Sequence, residues 1–384
     1  MPVFTSDFSP TIPFKNAYFN TIYRALFLKN SFNYERKRIT TWDHDFIDLD
    51  FSLVGSKTLA LLIHGLEGSS KSTYMISTSK HLNKIGLDTV CFNLRGCSGE
   101  DNLLLKTYHS GKTEDVDFVI NHLLENYDYE NIIIIGFSLG GNLTLKYLGE
   151  KSGTISPKIK GGIAVSVPID IASAEKEMDK LKNKLYIEMF FKTMKNKVLE
   201  KAFKFPEYKL DQEKLFKATK FKHLEYLYTV PVFGFKSPED YWEKASSKPY
   251  LSKIRKPTLL INAKDDTFLS KECYPYQEAK NSKFFFFEET KFGGHVGFMT
   301  SFKPEENKWL EFRIERFIKE NIELGKEIAK YLELRLNTIE TKVWKVDFEN
   351  SMIKNDGIWY NYNLHSDFRS SDKVSLYKNI DFAN

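Results

Sequence analysis

The chain has 384 residues, 42% apolar and 28% charged, a balance that excludes wholesale disorder and a fibrous or collagen-like chain. Its longest apolar runs, Leu59–Ile63 and Ile132–Ile135, fall far short of the ~18 residues that cross a bilayer, and Met1–Asp7 lacks a basic stretch followed by an apolar core. A net charge of +5, with nine arginines among 56 basic residues and no Gly/aromatic signature, argues against a nucleic-acid partner.

In chain order, residues 1–33 read as an irregular aromatic arm, broken by Pro10 and Pro13. Ile47, Leu49, Phe51 and Leu53 alternate with Asp48, Asp50 and Ser52, the period of a half-buried strand, paired antiparallel with Tyr34–Thr41. Thr58–Ile63 predicts a fully buried strand. A helix over Ser72–Ile85, a strand over Thr89–Leu94, a helix over Glu114–Asn126 and a strand over Asn131–Ile135 follow, then a helix over Leu139–Leu148 and a strand over Gly162–Val167. Strands alternating with helices imply βαβ units, hence a mostly parallel twisted sheet with right-handed crossovers.

From about Ala172 to Ser252 the pattern turns helical, with Met189, Phe190, Met194, Leu199 and Phe203 among lysines. Strands return at Pro257–Asn262 and Phe284–Glu288, with helices near Glu272–Ala279 and over Asn307–Ile322. The expected architecture is α/β: a core built from residues 1–171 and 253–322, split by an all-helical lid insertion at 172–252. Residues 323–384 form an appendage of unknown role, and Met352–Asn384 shows little periodicity. Between Ile171 and Tyr226, 14 lysines face 9 acidic residues, so the net charge is concentrated in the lid. Such a lid either packs its apolar stripe on the core and solvates its lysines, or makes peripheral contact with anionic lipid. Three scattered cysteines (Cys91, Cys97 and Cys273) give neither a disulfide framework nor a metal-ligand spacing. Free thiols, a cytoplasmic location and no metal or cofactor are expected.

The strongest chemical signal is Gly136-Phe137-Ser138-Leu139-Gly140-Gly141, which follows a buried strand and opens a helix. That is the context of a G-x-S-x-G nucleophile elbow, where a strained turn lifts a serine hydroxyl above a sheet. A serine nucleophile needs a base, and in this architecture the chain order is serine, acid, histidine. His295 lies in the Gly-rich loop Phe292–Phe298 just after a sheet strand, whereas His223 is in the lid and His365 in the tail. Between them, the strand Leu259–Asn262 ends at Ala263, and Asp265 and Asp266 follow. The spacing after Ala263 points to Asp266, leaving Asp265 as a turn or cap residue. Oxyanion donors are expected at the backbone N–H of Leu139, after the nucleophile, and of Leu66, in His64-Gly65-Leu66-Glu67-Gly68-Ser69-Ser70. His64 reads as a loop-shaping residue.

These segments, together with Asn93-Leu94-Arg95-Gly96-Cys97-Ser98-Gly99-Glu100 and Asn262-Ala263-Lys264-Asp265-Asp266, occur in one order over roughly residues 10–320. The combination resembles the YheT-like branch of the α/β-hydrolases, a branch similar to animal membrane-associated lipases and phospholipases and to yeast ethanol acyltransferases. The resemblance implies an α/β-hydrolase fold and a charge relay of Ser138, Asp266 and His295 acting on a small-molecule acyl ester. It also leaves open transfer of the acyl group to an alcohol, or a catalytically silent binding protein. Two departures stand out. Thr267 follows the second Asp where relatives usually carry Pro, and an early Asn-x-His pattern is here Asn16-Ala17-Tyr18.

Overall fold

A computed structural model of the chain describes residues 3–28 and 31–322, with the short strands 345–347, 352–355, 358–362 and 380–381 beyond them. Two compact units divide it, Met1–Ile314 and Glu315–Asn384, so the break precedes the expected appendage at 323.

The first unit is built on nine strands: β1 (Val3–Thr5), β2 (Glu35–Thr40), β3 (Phe46–Ser52), β4 (Thr58–Ile63), β5 (Asp88–Asn93), β6 (Asn131–Phe137), β7 (Ile159–Val165), β8 (Thr258–Ala263) and β9 (Phe285–Thr290). They form one sheet in the order β1-β9-β8-β7-β6-β4-β5-β3-β2. The strands from β1 to β5 in that order pair in parallel, and β3 and β2 close the far edge antiparallel. Covered on both faces, β4, β5, β6 and β8 have every residue buried, which is why Leu59–Ile63 of β4 and Ile132–Ile135 of β6 read as apolar runs rather than alternations. The helices α1 (Ala17–Phe27), α2 (Thr73–Lys84), α3 (Thr113–Asn126) and α4 (Leu139–Glu150) belong to this core. The expected core strands and helices are all present, with ends displaced by a few residues.

The structure departs from the sequence expectation in two places. The N-terminal arm is not irregular: β1 extends the sheet beside β9, and α1 is a regular helix capped by Asn16, whose side chain accepts the Phe19 N–H at 3.0 Å. Pro10 and Pro13 precede that cap, where proline does not interrupt the helix. Nor is β3 half-buried. Asp48 and Asp50 are 1% and 2% exposed because Arg38 and Arg36 of β2 each grip one carboxylate through two nitrogens, at 2.7–2.9 Å. Burial pushes both carboxyls up, but the guanidinium partners hold them below the usual carboxylate range.

The insertion at 172–252 contains no strand among the described residues. It comprises α5 (Ile171–Met178), α6 (Lys184–Lys204) and a run of shorter helices. Ile187, Phe191, Val198, Leu215, Phe221 and Leu224 pack into a small apolar core of its own. Its lysines are not uniformly solvated. Lys201 is 1% exposed and donates to the Asn102 and Leu104 carbonyls at 2.7 and 2.6 Å, while Lys204 pairs with Asp101 at 2.6 Å.

Within the second unit, β10 (Lys345–Asp347), β11 (Met352–Asn355), β12 (Ile358–Tyr362) and β13 (Ile380–Asp381) form an antiparallel sheet in sequence order. Strands of two to five residues carry too few alternations to register as periodicity. The rest of 323–384 lies outside the described residues.

Candidate active site

The site forms where β4, β6, β7, β8 and β9 end. Parallel strands deliver their carboxyl ends to one edge of the sheet, so loops far apart in sequence meet there.

Ser138 links β6 to α4 with φ 53° and ψ −118°. A non-glycine residue held there stores about 1–3 kcal/mol of strain, and its surroundings must fix it. Its N–H donates to the Val165 carbonyl at 2.8 Å, and its carbonyl accepts from Asn142 at 3.0 Å. The glycines around it are required by close approach: a Cβ on Gly136 would fall 2.2 Å from the Gly140 carbonyl oxygen, and one on Gly140 2.3 Å from that of Ile63.

His295 is carried on the loop after β9. Its Nε2 lies 2.9 Å from Ser138 Oγ and its Nδ1 2.8 Å from Asp266 Oδ2. Asp266 is buried, and its other oxygen accepts the Phe268 N–H at 2.9 Å. The Phe268 ring packs on the imidazole, 4.3 Å between centroids. The neighbouring Asp265 faces the other way, its Oδ1 accepting the Gly294 N–H at 2.9 Å. Burial, with Asp266 close by, pushes the Asp265 carboxyl up to about 6.

Leu139, one of the two expected oxyanion donors, follows Ser138 directly at the start of α4, and Leu66, the other, lines the same cavity as Ser138. His64 is buried behind the Leu66 turn; its Nε2 accepts the Leu94 N–H at 3.0 Å, so its Nδ1 carries the proton donated to the Gly65 carbonyl at 2.7 Å. Burial pulls this imidazole down to about 4, which keeps it neutral and suits a loop-shaping role. Arg95 is fully buried and tied to Asp115, Asp43 and Asp45 at 2.8–3.1 Å, so the Asn93–Glu100 segment anchors the neighbouring loop.

Sequence reasoning missed the clamp supplied by α1. The His295 N–H donates to Thr21 Oγ1 at 2.8 Å. Asn20 Nδ2 donates to the Met299 carbonyl at 3.1 Å, and its Oδ1 accepts the Met299 N–H at 2.9 Å. Arg24 donates to the Gly297 carbonyl at 3.1 Å and pairs with Glu311 at 2.6 Å, both side chains almost fully buried. Asn16 followed by an uninterrupted helix-forming stretch was the available signal for this element. Tyr18, at the third place of Asn16-Ala17-Tyr18, stacks on Tyr186 of α6, 6.1 Å between centroids. Arg24→Met is expected to cost about 3–5 kcal/mol in urea unfolding, because it strands a buried carboxylate. Arg24→Met with Glu311→Leu should recover much of that loss; a double variant no more stable than the single would refute the pairing.

A cavity of about 840 Å³ opens at Ser138, walled by Leu26, Leu66, Tyr108, Leu185, Met189 and Phe268 among others. Its lining is largely apolar, as in small-molecule sites. Among the described residues no cluster of His, Cys, Asp and Glu could hold a metal, and no helix is long and apolar enough to cross a membrane.

Comparison with known proteins agrees with the fold. Residues 60–302 match the family model for the alpha/beta hydrolase fold. The chain is 30% identical to YheT of Escherichia coli (strain K12), which carries an esterase name, over 81% of this chain and 92% of that protein. It is 27% identical to phospholipase ABHD3 of Homo sapiens, covering 85% and 82% of the two chains. Similarity to the monoacylglycerol lipase of Saccharomyces cerevisiae is 28% over 69% of this chain and 59% of that one. Among solved structures, the Pyrococcus furiosus esterase Pf2001 shares the fold, with TM-score 0.52 and 22% identity over 76% of this chain and 92% of that one. The chain belongs to the α/β-hydrolase family, in its YheT-like branch.

Proposed function

We propose that the protein is a serine carboxylic-ester hydrolase acting through an acyl-enzyme. The observation that carries this reading is the unbroken relay from Ser138 Oγ through His295 to Asp266, at 2.9 and 2.8 Å, opening on an apolar cavity. His295 Nε2 takes the hydroxyl proton as Oγ attacks the ester carbonyl. Asp266 holds the proton on Nδ1 and stabilises the imidazolium. The oxyanion falls between the Leu66 and Leu139 N–H groups, and losing one such donor typically costs ~10²–10³ in rate. His295 then returns the proton to the departing alcohol. Water repeats the sequence and releases the acid. The relatives' names (esterase, phospholipase, monoacylglycerol lipase) support ester bonds as the target class.

The deciding experiment is a panel of acyl esters graded by chain length, with products analysed in the presence of added alcohol. Free acid from short and medium chains is the expected result. Ester product in place of acid would make the protein an acyltransferase. Failure of Ser138 to react with a fluorophosphonate probe would leave a silent binding protein. Three buried free thiols support a reducing, cytoplasmic setting.

Peripheral contact with anionic lipid forms part of the proposal, relocated within the lid. Leu185 and Met189 of α6 and Leu26 of α1 are 71%, 64% and 56% exposed, yet they also line the cavity. An acyl chain entering past them need not cross water. With Lys201 and Lys204 turned onto the core, the exposed cations on α6 beside these apolar residues include Lys192 and Lys184, the latter 3.8 Å from Glu188. Co-sedimentation with anionic but not neutral vesicles, lost in Leu185→Ser/Met189→Ser, is expected; equal binding by that variant would remove the contact.

A further inference from the structure

We propose that Glu67 is a positioning residue through which the lid holds the oxyanion loop, an inference that rests on the ester-hydrolase reading. Gly65-Leu66-Glu67-Gly68 is a tight turn closed by the Gly68 N–H on the Gly65 carbonyl at 3.0 Å. Glu67 occupies its third position with φ 54°. A positive φ there favours glycine, as in type II turns, and this chain places a charged side chain instead.

The contacts of that side chain account for its presence. Tyr108 Oη accepts the Glu67 N–H at 3.0 Å and donates back to Glu67 Oε1 at 2.7 Å. Lys197, from lid helix α6, stands 3.1 Å from Oε1 and 2.9 Å from Oε2. Backbone and carboxylate are thus held by two separate segments, which fixes a conformation that a free glutamate would leave. The ion pair is well shielded, with side-chain exposures of 28% for Lys197 and 8% for Glu67. Cys97 Sγ also lies 3.5 Å from Lys197 Nζ, but burial pushes that thiol up to about 12, so it stays neutral and Glu67 is the counter-charge.

Lys197 does not act alone on α6. Lys201 and Lys204 follow at helical spacing and are fixed to Asp101 at 3.0 and 2.6 Å, so one face of the lid helix is fastened to the core. Lys197 is the member of that row that reaches the site. Leu66, the candidate oxyanion donor, immediately precedes Glu67, and Leu66, Glu67, Tyr108 and Lys197 all line the cavity. The direction of the Leu66 N–H therefore depends on where α6 sits, and the lid contributes to turnover through this charge pair as well as through the shape of the cavity.

The test compares Glu67→Gly, Lys197→Met and the double variant on a short-chain ester, with urea midpoints alongside. Glycine suits the turn, which offsets part of the cost of leaving Lys197 without its counter-charge, and the urea midpoints separate a fall in kcat from a loss of folded protein. The expected result is a fall in kcat of about tenfold or more in each single variant, with KM held within about twofold. The double variant should be no worse than the poorer single, because both remove one interaction. Wild-type kcat in Glu67→Gly, a change confined to KM, or effects that multiply in the double variant would each overturn the inference. Fluorophosphonate labelling that disappears in Ser138→Ala checks the underlying reading separately.

Discussion

Ser138→Ala is expected to lower ester turnover by a factor on the order of 10⁴–10⁶ while leaving the fold intact. The size follows from the loss of the only atom in the relay that attacks the carbonyl. On the proposed mechanism, what remains is the oxyanion donors and the cavity, which hold a substrate without opening it. The fold should persist because the backbone at 138 is fixed by neighbours that the substitution does not touch, the Val165 carbonyl and the Asn142 N–H. Alanine keeps the Cβ and gives up one hydrogen bond, that to His295, worth about 1 kcal/mol. Turnover of a short acyl ester, fluorophosphonate labelling and a urea unfolding curve measure the three parts. Residual turnover within about tenfold of wild type would end the nucleophile assignment.

The adjacent carboxylates at 265 and 266 should respond oppositely to the same change. Asp266→Asn is expected to reduce kcat by about 10⁴. An amide at Asp266 can turn its NH₂ toward Nδ1, which moves the imidazole proton to Nε2, where it blocks acceptance of the Ser138 proton. Asp265→Asn keeps an oxygen to accept the Gly294 N–H, so turnover should stay within a few-fold of wild type. Its effect falls on stability instead. Burial, with the Asp266 carboxylate close by, pushes the Asp265 carboxyl up to about 6 from its ordinary value of 3.8. A group whose folded pKa is raised binds more protons in the native state, so its penalty is absent below about pH 4 and grows as pH rises through 6. Asp265→Asn should therefore match wild type near pH 4 and exceed it above pH 6, read as urea midpoints across that range. If instead Asp265→Asn abolished turnover and Asp266→Asn spared it, the two roles would be exchanged.

The sequence by itself determined much of this protein. Runs such as Leu59–Ile63 and Ile132–Ile135 suit strands buried on both faces, and helical periodicity between them leaves a parallel sheet as the way to bury both. A serine between glycines at a strand-to-helix junction and a histidine in a late Gly-rich loop are local patterns, set within a few residues by backbone sterics. The tertiary structure decided what depends on partners far along the chain. Asp48 and Asp50 break the apolar pattern of β3, yet they are buried because Arg38 and Arg36 sit across the ladder. The spacing after Ala263 already points to Asp266, but only the folded chain shows that carboxylate facing an imidazole 29 residues away while Asp265 turns to the Gly294 N–H. The clamp of α1 on the His295 loop spans 274 residues, and the reach of Lys197 to Glu67 spans 130. Local propensity reports on backbone and nearest neighbours, whereas hydrogen bonds of that range exist only after the sheet has closed and packing has aligned the donors with their acceptors.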